Sequence, residues 1–516
     1  MMTKLSTIFL LLSVSLSALA ALPNILFIFS DDHATQAVGS YGSIINSTPN
    51  IDRIASEGIR FDRCLVTNAI CGPSRATILT GKYSHLNGFY KNDMYFDGRQ
   101  ITFPKLLRQA GYQTAVIGKW HLASLPTGFD HFEVITGYGG QGKYYHPVMN
   151  RNGEPTKHRG YTTEVITKLN MEWLKNQRDP NKPFMLMMQH KAPHRAWLPS
   201  PKYMNAFKDK KFPKPANLHT DYQGKASHVK KQDMMIKDSM NPGDLKLTPP
   251  KYLDGADLAN WHKAYDEENA AFAKAKLSGK ALRSWNYQRY IRDYVRCVQS
   301  IDDSIGEVLN YLDESGLAEN TLLIYSSDQG FFLGEHGWFD KRFMYEEALR
   351  TPLVMRWPGK IKAGSVDSHI TSNLDFAQTF LEVAGVKVPA EMQGASLLPI
   401  MKGQQPENWR ESFYYHYYGY PDWHLVQKHC GVTDGRYKLI HFYTTDEWEL
   451  YDRKNDPEEN INRASDPEFK SILQNMRKKL SQQRIQLKVP SDEEVIQQFK
   501  HLEKENSYLK WGVKKK

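Results

Sequence analysis

NILFIFSDDH, residues 24–33, is a continuous apolar run that ends abruptly in two acids and a histidine. Short runs of this kind are typical of strands that are buried on both faces of a parallel sheet. Helical patterns separate this run from later ones, for example at 103–110 and 287–315. The alternation predicts an α/β fold with a central, mostly parallel sheet. The later runs of the same form are TAVI at 114–117, FMLMM at 184–188 and TLLIY at 321–325.

Each apolar run leads into polar or ionisable residues. The first run ends in Asp31 and Asp32, and the last one leads to Asp328 and Gln329. The two runs between them lead to GKWH at 118–121 and to QHKAPH at 189–194. Because ligands and catalytic groups collect at the carboxyl ends of parallel strands, we expect these four segments to share one pocket.

Two further regions differ from this pattern. Residues 200–285 are polar, rich in lysine and interrupted by prolines, which predicts an insertion of loops and short helices on the face that carries the pocket. The insertion lies within a large domain at 21–405. A smaller C-terminal α+β domain with an antiparallel sheet is predicted at 406–516, with a hairpin turn at Asp434-Gly435. Its candidate elements are strands at 413–418, 437–443 and 448–451 and a helix at about 467–488.

The first twenty residues have the form of a secretory signal. Lys4 supplies a positive charge, residues 8–16 form a short apolar segment, and Ala18-Leu19-Ala20 fits the rule for cleavage after Ala20. An uncleaved anchor is the alternative, although the apolar segment is short for a membrane span. No later segment resembles a transmembrane helix. We therefore expect a secreted or periplasmic protein without stable membrane insertion.

Charge and cysteine usage exclude several classes of protein. The formal charge is +10 for a chain of 516 residues, but the basic residues are spread along the chain and do not resemble a nucleic-acid-binding module. The cysteines are too few for a disulfide framework, and no CxxC pair indicates zinc. Cys64, Cys297 and Cys430 are expected to be buried or paired, and the sequence leaves their pairing open. Cys71 has a different context.

Cys71 begins the segment CGPSRATILTG at 71–81. Pro73 suits the first turn of a helix, whose N-terminus offers free N–H groups to an anion. Arg75 adds a guanidinium next to that position. The segment resembles the C-x-P-S-R-x-x-x-x-T-G signature of the formylglycine-dependent sulfatases. The alternative is a buried structural cysteine that precedes a helix.

The resemblance implies a specific chemistry for Cys71. In that family a formylglycine-generating enzyme oxidises the cysteine to formylglycine during export. One hydroxyl of the hydrated aldehyde attacks sulfur, and the other later expels sulfate. The same enzyme would therefore be a maturation partner of this chain.

Three other segments match the family in order and spacing. In GKWH, the resemblance implies that Lys119 contacts sulfate and that His121 orients the hydrate. In HKAPH, it implies sulfate contact and proton donation by His194, with His190 in a supporting role. In the segment from SDQG to Lys341, it implies that Lys341 contacts the sulfate oxygen that faces the leaving group. The sequence leaves open which of His121 and His194 is the general acid.

Oxygen-rich side chains predict a site for a hard cation. Asp31, Asp32 and Asp328 supply carboxylates and Gln329 an amide oxygen, which are suitable ligands for calcium. An Asp-Asp pair alone is usually a solvated turn. The resemblance implies Ca²⁺, with an oxygen of modified Cys71 completing its shell. Many relatives have Asn or His where this chain has Gln329, so this position departs from the family pattern.

The resemblance also implies a fold and an activity. The fold is the alkaline-phosphatase-like α/β sandwich with a smaller C-terminal domain, and the activity is hydrolysis of sulfate esters on a sulfated carbohydrate. Trp423 and His424 lie in an aromatic stretch that could bind sugar, although such residues are also common in strand cores. One alternative is a phosphonate or phosphodiester hydrolase of the same superfamily. Another is an inactive secreted carbohydrate-binding protein, against which the retained Cys71, Arg75 and Lys119 argue.

Overall fold

The structure is a computed structural model that describes residues 22–503. The predicted signal at 1–20 and the last thirteen residues of the predicted C-terminal domain, 504–516, lie outside this range. Within it, no helix is both long and apolar enough to cross a membrane. The boundary near residue 405 remains a prediction.

Between residues 22 and 503, nineteen strands and twelve α-helices follow one another. The strands are β1 (Asn24–Ser30), β2 (Ile59–Phe61), β3 (Cys64–Leu65), β4 (Gln113–Gly118), β5 (His131–Ile135), β6 (Val148–Arg151), β7 (Glu154–Lys157), β8 (Phe184–Gln189), β9 (Thr321–Ser327), β10 (Phe332–Leu333), β11 (Phe339–Asp340), β12 (Arg350–Thr351), β13 (Leu353–Arg356), β14 (Ser365–Asp367), β15 (Thr371–Ser372), β16 (Phe413–Tyr417), β17 (His429–Thr433), β18 (Tyr437–Phe442) and β19 (Glu447–Asp452). The helices are α1 (Pro49–Ser56), α2 (Cys71–Thr80), α3 (Ser84–Asn87), α4 (Phe103–Gln109), α5 (Thr162–Glu172), α6 (Gly255–Ala275), α7 (Gly279–Glu314), α8 (Glu346–Leu349), α9 (Phe376–Val383), α10 (Leu398–Met401), α11 (Lys470–Gln486) and α12 (Asp492–Phe499).

The central sheet has ten strands in the order β14-β2-β13-β9-β1-β8-β4-β5-β6-β7. Strand β1 lies between β8 and β9 and is parallel to both, with Phe27 opposite Met187 and Ile324. The four runs predicted as strands are β1, β4, β8 and β9, and all of them are mutually parallel. The α/β prediction with a mostly parallel sheet is confirmed. Antiparallel pairs occur towards both edges, between β13 and its neighbours and along β5, β6 and β7.

Burial on both faces explains why β1 has no alternating pattern. Leu26 and Ile28 point into a core that includes Tyr294 of α7. Ile25, Phe27 and Phe29 point into a second core that contains Phe376 and Phe380 around α9. All seven residues of β1 are buried. The sheet is therefore covered by helices on each face, as expected for a doubly covered α/β sandwich.

The predicted antiparallel C-terminal sheet is present. Strands β16 to β19 form a four-stranded antiparallel meander, and α11 packs against it. Asp434 and Gly435 make the turn between β17 and β18, with Gly435 at a φ of 90°. The sequence interpretation missed β17.

The insertion at 200–285 is more helical than expected. It contains α6, a helix of 21 residues, and the start of α7, which has 36 residues. The expectation of loops and short helices is therefore wrong in this part. The buried residues of α6 are Trp261 and Tyr265, one turn apart. This apolar stripe is too narrow to produce a clear helical period in the sequence.

Candidate active site

Cys71 is the first residue of α2 and lies at the carboxyl edge of the central sheet, beside the end of β1. Its side chain is 1% exposed, and its Sγ lies 3.6 Å from Oδ1 of Asp31. Pro73 is in the first turn, as expected for a residue that lacks a backbone N–H. The start of the helix directs its positive end towards the same region, and the N–H of Gly72 in its first turn donates to Oδ1 of Asn92 at 3.0 Å.

Arg75, one turn after Cys71, connects several segments of the site. Its Nη2 donates to Asp31 at 3.0 Å and to Asp328 at 3.1 Å. Its Nη1 donates to the Lys119 carbonyl at 2.7 Å and to Gln189 at 2.8 Å. These contacts occupy most of the donors of a buried guanidinium. The geometry therefore makes Arg75 a residue that positions the carboxylates, rather than one whose donors are directed at a substrate.

The three predicted carboxylates meet in one cluster. Asp31, Asp32 and Asp328 are fully buried and each place an oxygen within 4.8 Å of the others. Burial raises the pKa of Asp32 to about 8 despite the nearby Lys341, and the neighbouring Asp31 and Asp328 add to the effect. Burial and Asp31 also raise the pKa of Asp328. A hard cation would relieve this repulsion, so the donor set fits calcium.

Gln329 lies beside this cluster. Its Nε2 donates to Oδ1 of Asp32, and its Oε1 is buried without a hydrogen-bond donor. A buried amide oxygen without a donor is suited to ligate a cation. The residue therefore fits the predicted ligand set.

Two lysines contact different carboxylates of the cluster. Nζ of Lys341 donates to the two oxygens of Asp32 at 2.5 and 2.7 Å. Nζ of Lys119 contacts Asp31 and donates to Oε1 of Gln141 at 2.5 Å. With Arg75, these lysines balance the three carboxylates. A divalent cation would make the group net positive, which suits an anionic ester.

The histidines of the site differ in their surroundings. His121 lies at the cavity with its Nε2 3.0 Å from Nε2 of Gln141. Nδ1 of His194 donates to the Arg195 carbonyl at 2.8 Å, and its Nε2 lies 3.7 Å from Oδ2 of Asp32. Burial and the nearby lysines hold the pKa of His194 well below its usual value. The proton on Nδ1 is directed at the Arg195 carbonyl, which leaves Nε2 with the lone pair in the neutral form. His190 does not line the cavity and contacts Ser304 at 3.2 Å.

A cavity of about 760 Å³ opens above Cys71. Its lining includes His121, His194 and Lys341. Trp423 and His424, both predicted to bind sugar, also line it. Trp423 is 73% exposed, whereas His424 is buried and lies 3.2 Å from both Asp340 and Arg195. His424 is held in place by the protein, and Trp423 presents a free aromatic face.

Sequence reasoning missed several residues that line the same cavity. Lys191 is buried, and burial lowers its pKa to about 7 while its Nζ lies 4.9 Å from the centre of the Tyr144 ring. Asp340 and Arg342 flank Lys341, so their position next to a motif residue in the sequence could have indicated them. The remaining missed residues belong to no motif of their own. The missed residues that matter here are Gln141, Lys191, Arg195, Asp244, Asp340 and Arg342.

The cysteines are all free and buried in the described part of the chain. Cys64, Cys297 and Cys430 therefore form no disulfide, which answers the question of pairing that the sequence left open. Only Cys71 among them lines the cavity.

Comparisons with known proteins agree with this geometry. The sulfatase family profile matches residues 23–386, and a profile described as N-sulphoglucosamine sulphohydrolase, C-terminal, matches residues 334–486. An N-acetylglucosamine-6-O-sulfatase of Bacteroides thetaiotaomicron is 51% identical over 85% of this chain and 82% of its own length. An N-acetylglucosamine-6-sulfatase of Capra hircus is 26% identical over 77% of this chain and 66% of its own length.

A solved structure shows the same similarity in three dimensions. It is a protein in complex with its substrate, D-glucosamine-2-N,6-O-disulfate, and it is 48% identical to this chain. The match has a TM-score of 0.89 and covers 91% of this chain and 99% of the other. The alternative of an inactive binding protein is therefore wrong. The chain belongs to the sulfatase family and is an enzyme that hydrolyses sulfate esters.

Proposed function

We propose that this sulfatase removes the 6-O-sulfate from a glucosamine unit of a sulfated carbohydrate. The observation that carries the proposal is the cavity of about 760 Å³ with Cys71 and the acidic cluster at its base. Its volume is in the range of a pocket for a small ligand such as one sugar unit. The sugar and the position of the ester are suggested by the relatives, which are a 6-O-sulfatase and a protein bound to a 6-O-sulfated glucosamine.

The proposal includes a modified Cys71 and a bound Ca²⁺. The hydrated formylglycine would supply the hydroxyl that attacks sulfur, and the cation would offset negative charge on the sulfate oxygens. Asp31, Asp32, Asp328 and Gln329 would hold the cation. Residues 1–20 would direct export, during which a formylglycine-generating enzyme would act on Cys71.

The remaining residues have roles that follow from their positions. Lys341 lines the cavity, and Lys119 is buried behind it against Gln141. With the cation bound to the carboxylates, the two lysines would offset the charge of an entering sulfate. An anion next to His194 raises the pKa of that histidine, so substrate binding would favour its protonated form. Its Nε2 would then donate a proton to the sugar oxygen as the S–O bond breaks.

A panel of defined sulfated sugars tests this function. We expect sulfate release from N-acetylglucosamine 6-sulfate, and from D-glucosamine-2-N,6-O-disulfate only at position 6. N-acetylgalactosamine 6-sulfate tests whether the enzyme requires glucosamine. A phosphodiester tests the alternative activity, that of a phosphodiester hydrolase of the same superfamily. Hydrolysis of the phosphodiester in preference to every sulfate ester would refute the proposal. Release of the N-sulfate would show that the enzyme acts at position 2 of the sugar and not at position 6.

A further inference from the structure

A second cavity, of about 660 Å³, lies outside the active site. The chain segments around it are the end of β2, the residue that opens β12, and the β17–β18 turn with the end of β19. It shares no lining residue with the cavity above Cys71. We call it the arginine pocket, after the guanidinium groups of Arg60, Arg63, Arg350, Arg436 and Arg453.

The acidic residues of the arginine pocket are already neutralised. Each of its three carboxylates has a basic partner within 2.9 Å. Arg63, Arg350 and Lys454 also line the pocket, and they have no carboxylate partner in residues 22–503. The pocket therefore keeps a positive charge that its own residues do not compensate. The pairs are Arg60 with Asp62, Arg453 with Glu346, and Lys479 with Asp434.

The two unpaired arginines differ in their surroundings, since Arg63 is exposed and Arg350 is partly buried. The guanidinium of Arg350 lies 5.7 Å from the centre of the Tyr41 ring, and its buried Nε has no hydrogen-bond acceptor. Arg63 lies against Gly435, where a Cβ would come within 2.5 Å of Nη1 of the arginine. The glycine thus leaves room for the guanidinium over the hairpin turn. Positioned arginines bind sulfate and carboxylate groups through paired N–H donors.

We propose that the arginine pocket binds a sulfate or carboxylate group of the same glycan chain whose terminal sugar enters the active site. This inference rests on the proposed function, because the function identifies the ligand as a sulfated carbohydrate. The volume of the pocket suits one charged sugar unit. The pocket would raise affinity for a polymer without taking part in hydrolysis, because it adds a second point of attachment.

Direct binding tests the proposal in the inactive Cys71→Ala protein. A sulfated octasaccharide built on glucosamine and uronic acid is titrated by calorimetry into this protein and into the same protein with Arg63→Gln and Arg350→Gln. We expect about a tenfold increase in Kd when both arginines are lost. The matched control removes two exposed charges elsewhere, with Lys230→Gln and Lys274→Gln, and should change Kd far less. Equal changes in the two double variants would overturn the proposal.

Two further measurements make the outcome unambiguous. Arg63 is exposed, so Arg63→Glu alone tests the pocket without disturbing the packing of Arg350, and it should also weaken binding. Inorganic sulfate distinguishes a site for any small anion from a site for a chain. Binding of sulfate as strong as that of the octasaccharide would reject the glycan assignment.

Turnover of a sulfated monosaccharide separates this proposal from the proposed function. The Arg63→Gln, Arg350→Gln enzyme should hydrolyse D-glucosamine-2-N,6-O-disulfate as the unmodified enzyme does, because neither arginine lines the active-site cavity. If neither enzyme hydrolyses that substrate, the proposed function is refuted. The binding comparison in the inactive protein would still show whether the arginine pocket binds the glycan.

Discussion

The base and the rim of the active-site cavity are built differently. At the base, Arg75, Lys119 and Lys341 are at most 3% exposed, and each is bound to a carboxylate of the acidic cluster. At the rim, Tyr138 is 66% exposed and Trp423 is 73% exposed. A fixed base provides preorganised charge, which the transition state requires, whereas an open rim can adapt to different sugars. We therefore expect changes at the base to affect kcat and changes at the rim to affect KM.

The largest effect is expected at Cys71. Cys71→Ala should reduce kcat by at least about a thousandfold, because it removes the proposed nucleophile. Peptide mass spectrometry of the active enzyme should show formylglycine at this position. Cys430→Ala, which changes a buried cysteine of the C-terminal sheet, is the control and should retain activity. An unmodified thiol at Cys71 in fully active enzyme would contradict the proposal that formylglycine is the nucleophile at the base of the cavity.

The acidic cluster should be almost as sensitive. Asp328→Asn keeps the shape of the side chain but removes a charge, so we expect Ca²⁺ affinity to fall by at least about a hundredfold. Elemental analysis and kcat measured against added Ca²⁺ would show the loss. Gln329→Ala removes a neutral oxygen and should be milder. Full metal content in both variants would show that the cluster is not the cation site.

His194 lies between base and rim, and it should discriminate between substrates. His194→Ala should lower kcat for a sulfated sugar by about a hundredfold or more, because the sugar oxygen needs a proton. The kcat for an aryl sulfate should fall less, since a phenolate leaves without much protonation. The ratio of the two losses is the measurement. Equal losses would remove the proton-donor role and leave His194 as a contact to sulfate.

The smallest effect is expected at the rim. Trp423→Ala should raise KM for a sulfated oligosaccharide by about three- to tenfold and leave kcat unchanged, because it removes an aromatic face from an open surface. Trp448→Ala is the matched control, since Trp448 stacks on His441 and does not line the active-site cavity. A fall in kcat with unchanged KM would show that base and rim are not separate in function.

The parts of the fold that could be predicted from the sequence are those whose hydrophobic pattern is determined by burial alone. Strands β1, β4, β8 and β9 are buried on both faces, so each appears as a continuous apolar run. Strand β17, HCGVT, contains a glycine and a histidine and has no such run. Helix α6 was missed because most of its surface faces solvent. Residues of these kinds are placed by tertiary contacts that the local sequence does not encode.

The candidate site divides in the same way. Cys71, Lys119, His194 and Lys341 were found because they lie in segments whose spacing resembles a family signature. Gln141 bridges Lys119 and His121, yet it follows a glycine-rich turn with no recognisable motif. The grouping of these residues at the base was therefore predictable, whereas the loops that complete the cavity were not. Their contacts depend on residues that are distant in sequence.

The position of β1 has a consequence for the order of events during synthesis. Residues 24–30 pair with residues 321–327, so the central strand lacks one of its two neighbours until most of the chain has been made. Asp328 and Lys341, which enclose Cys71, are made later still. At ordinary translation rates, this delay is on the order of ten seconds or more. The proposed formylglycine-generating enzyme would thus have an interval in which the cysteine is still accessible, before folding buries it.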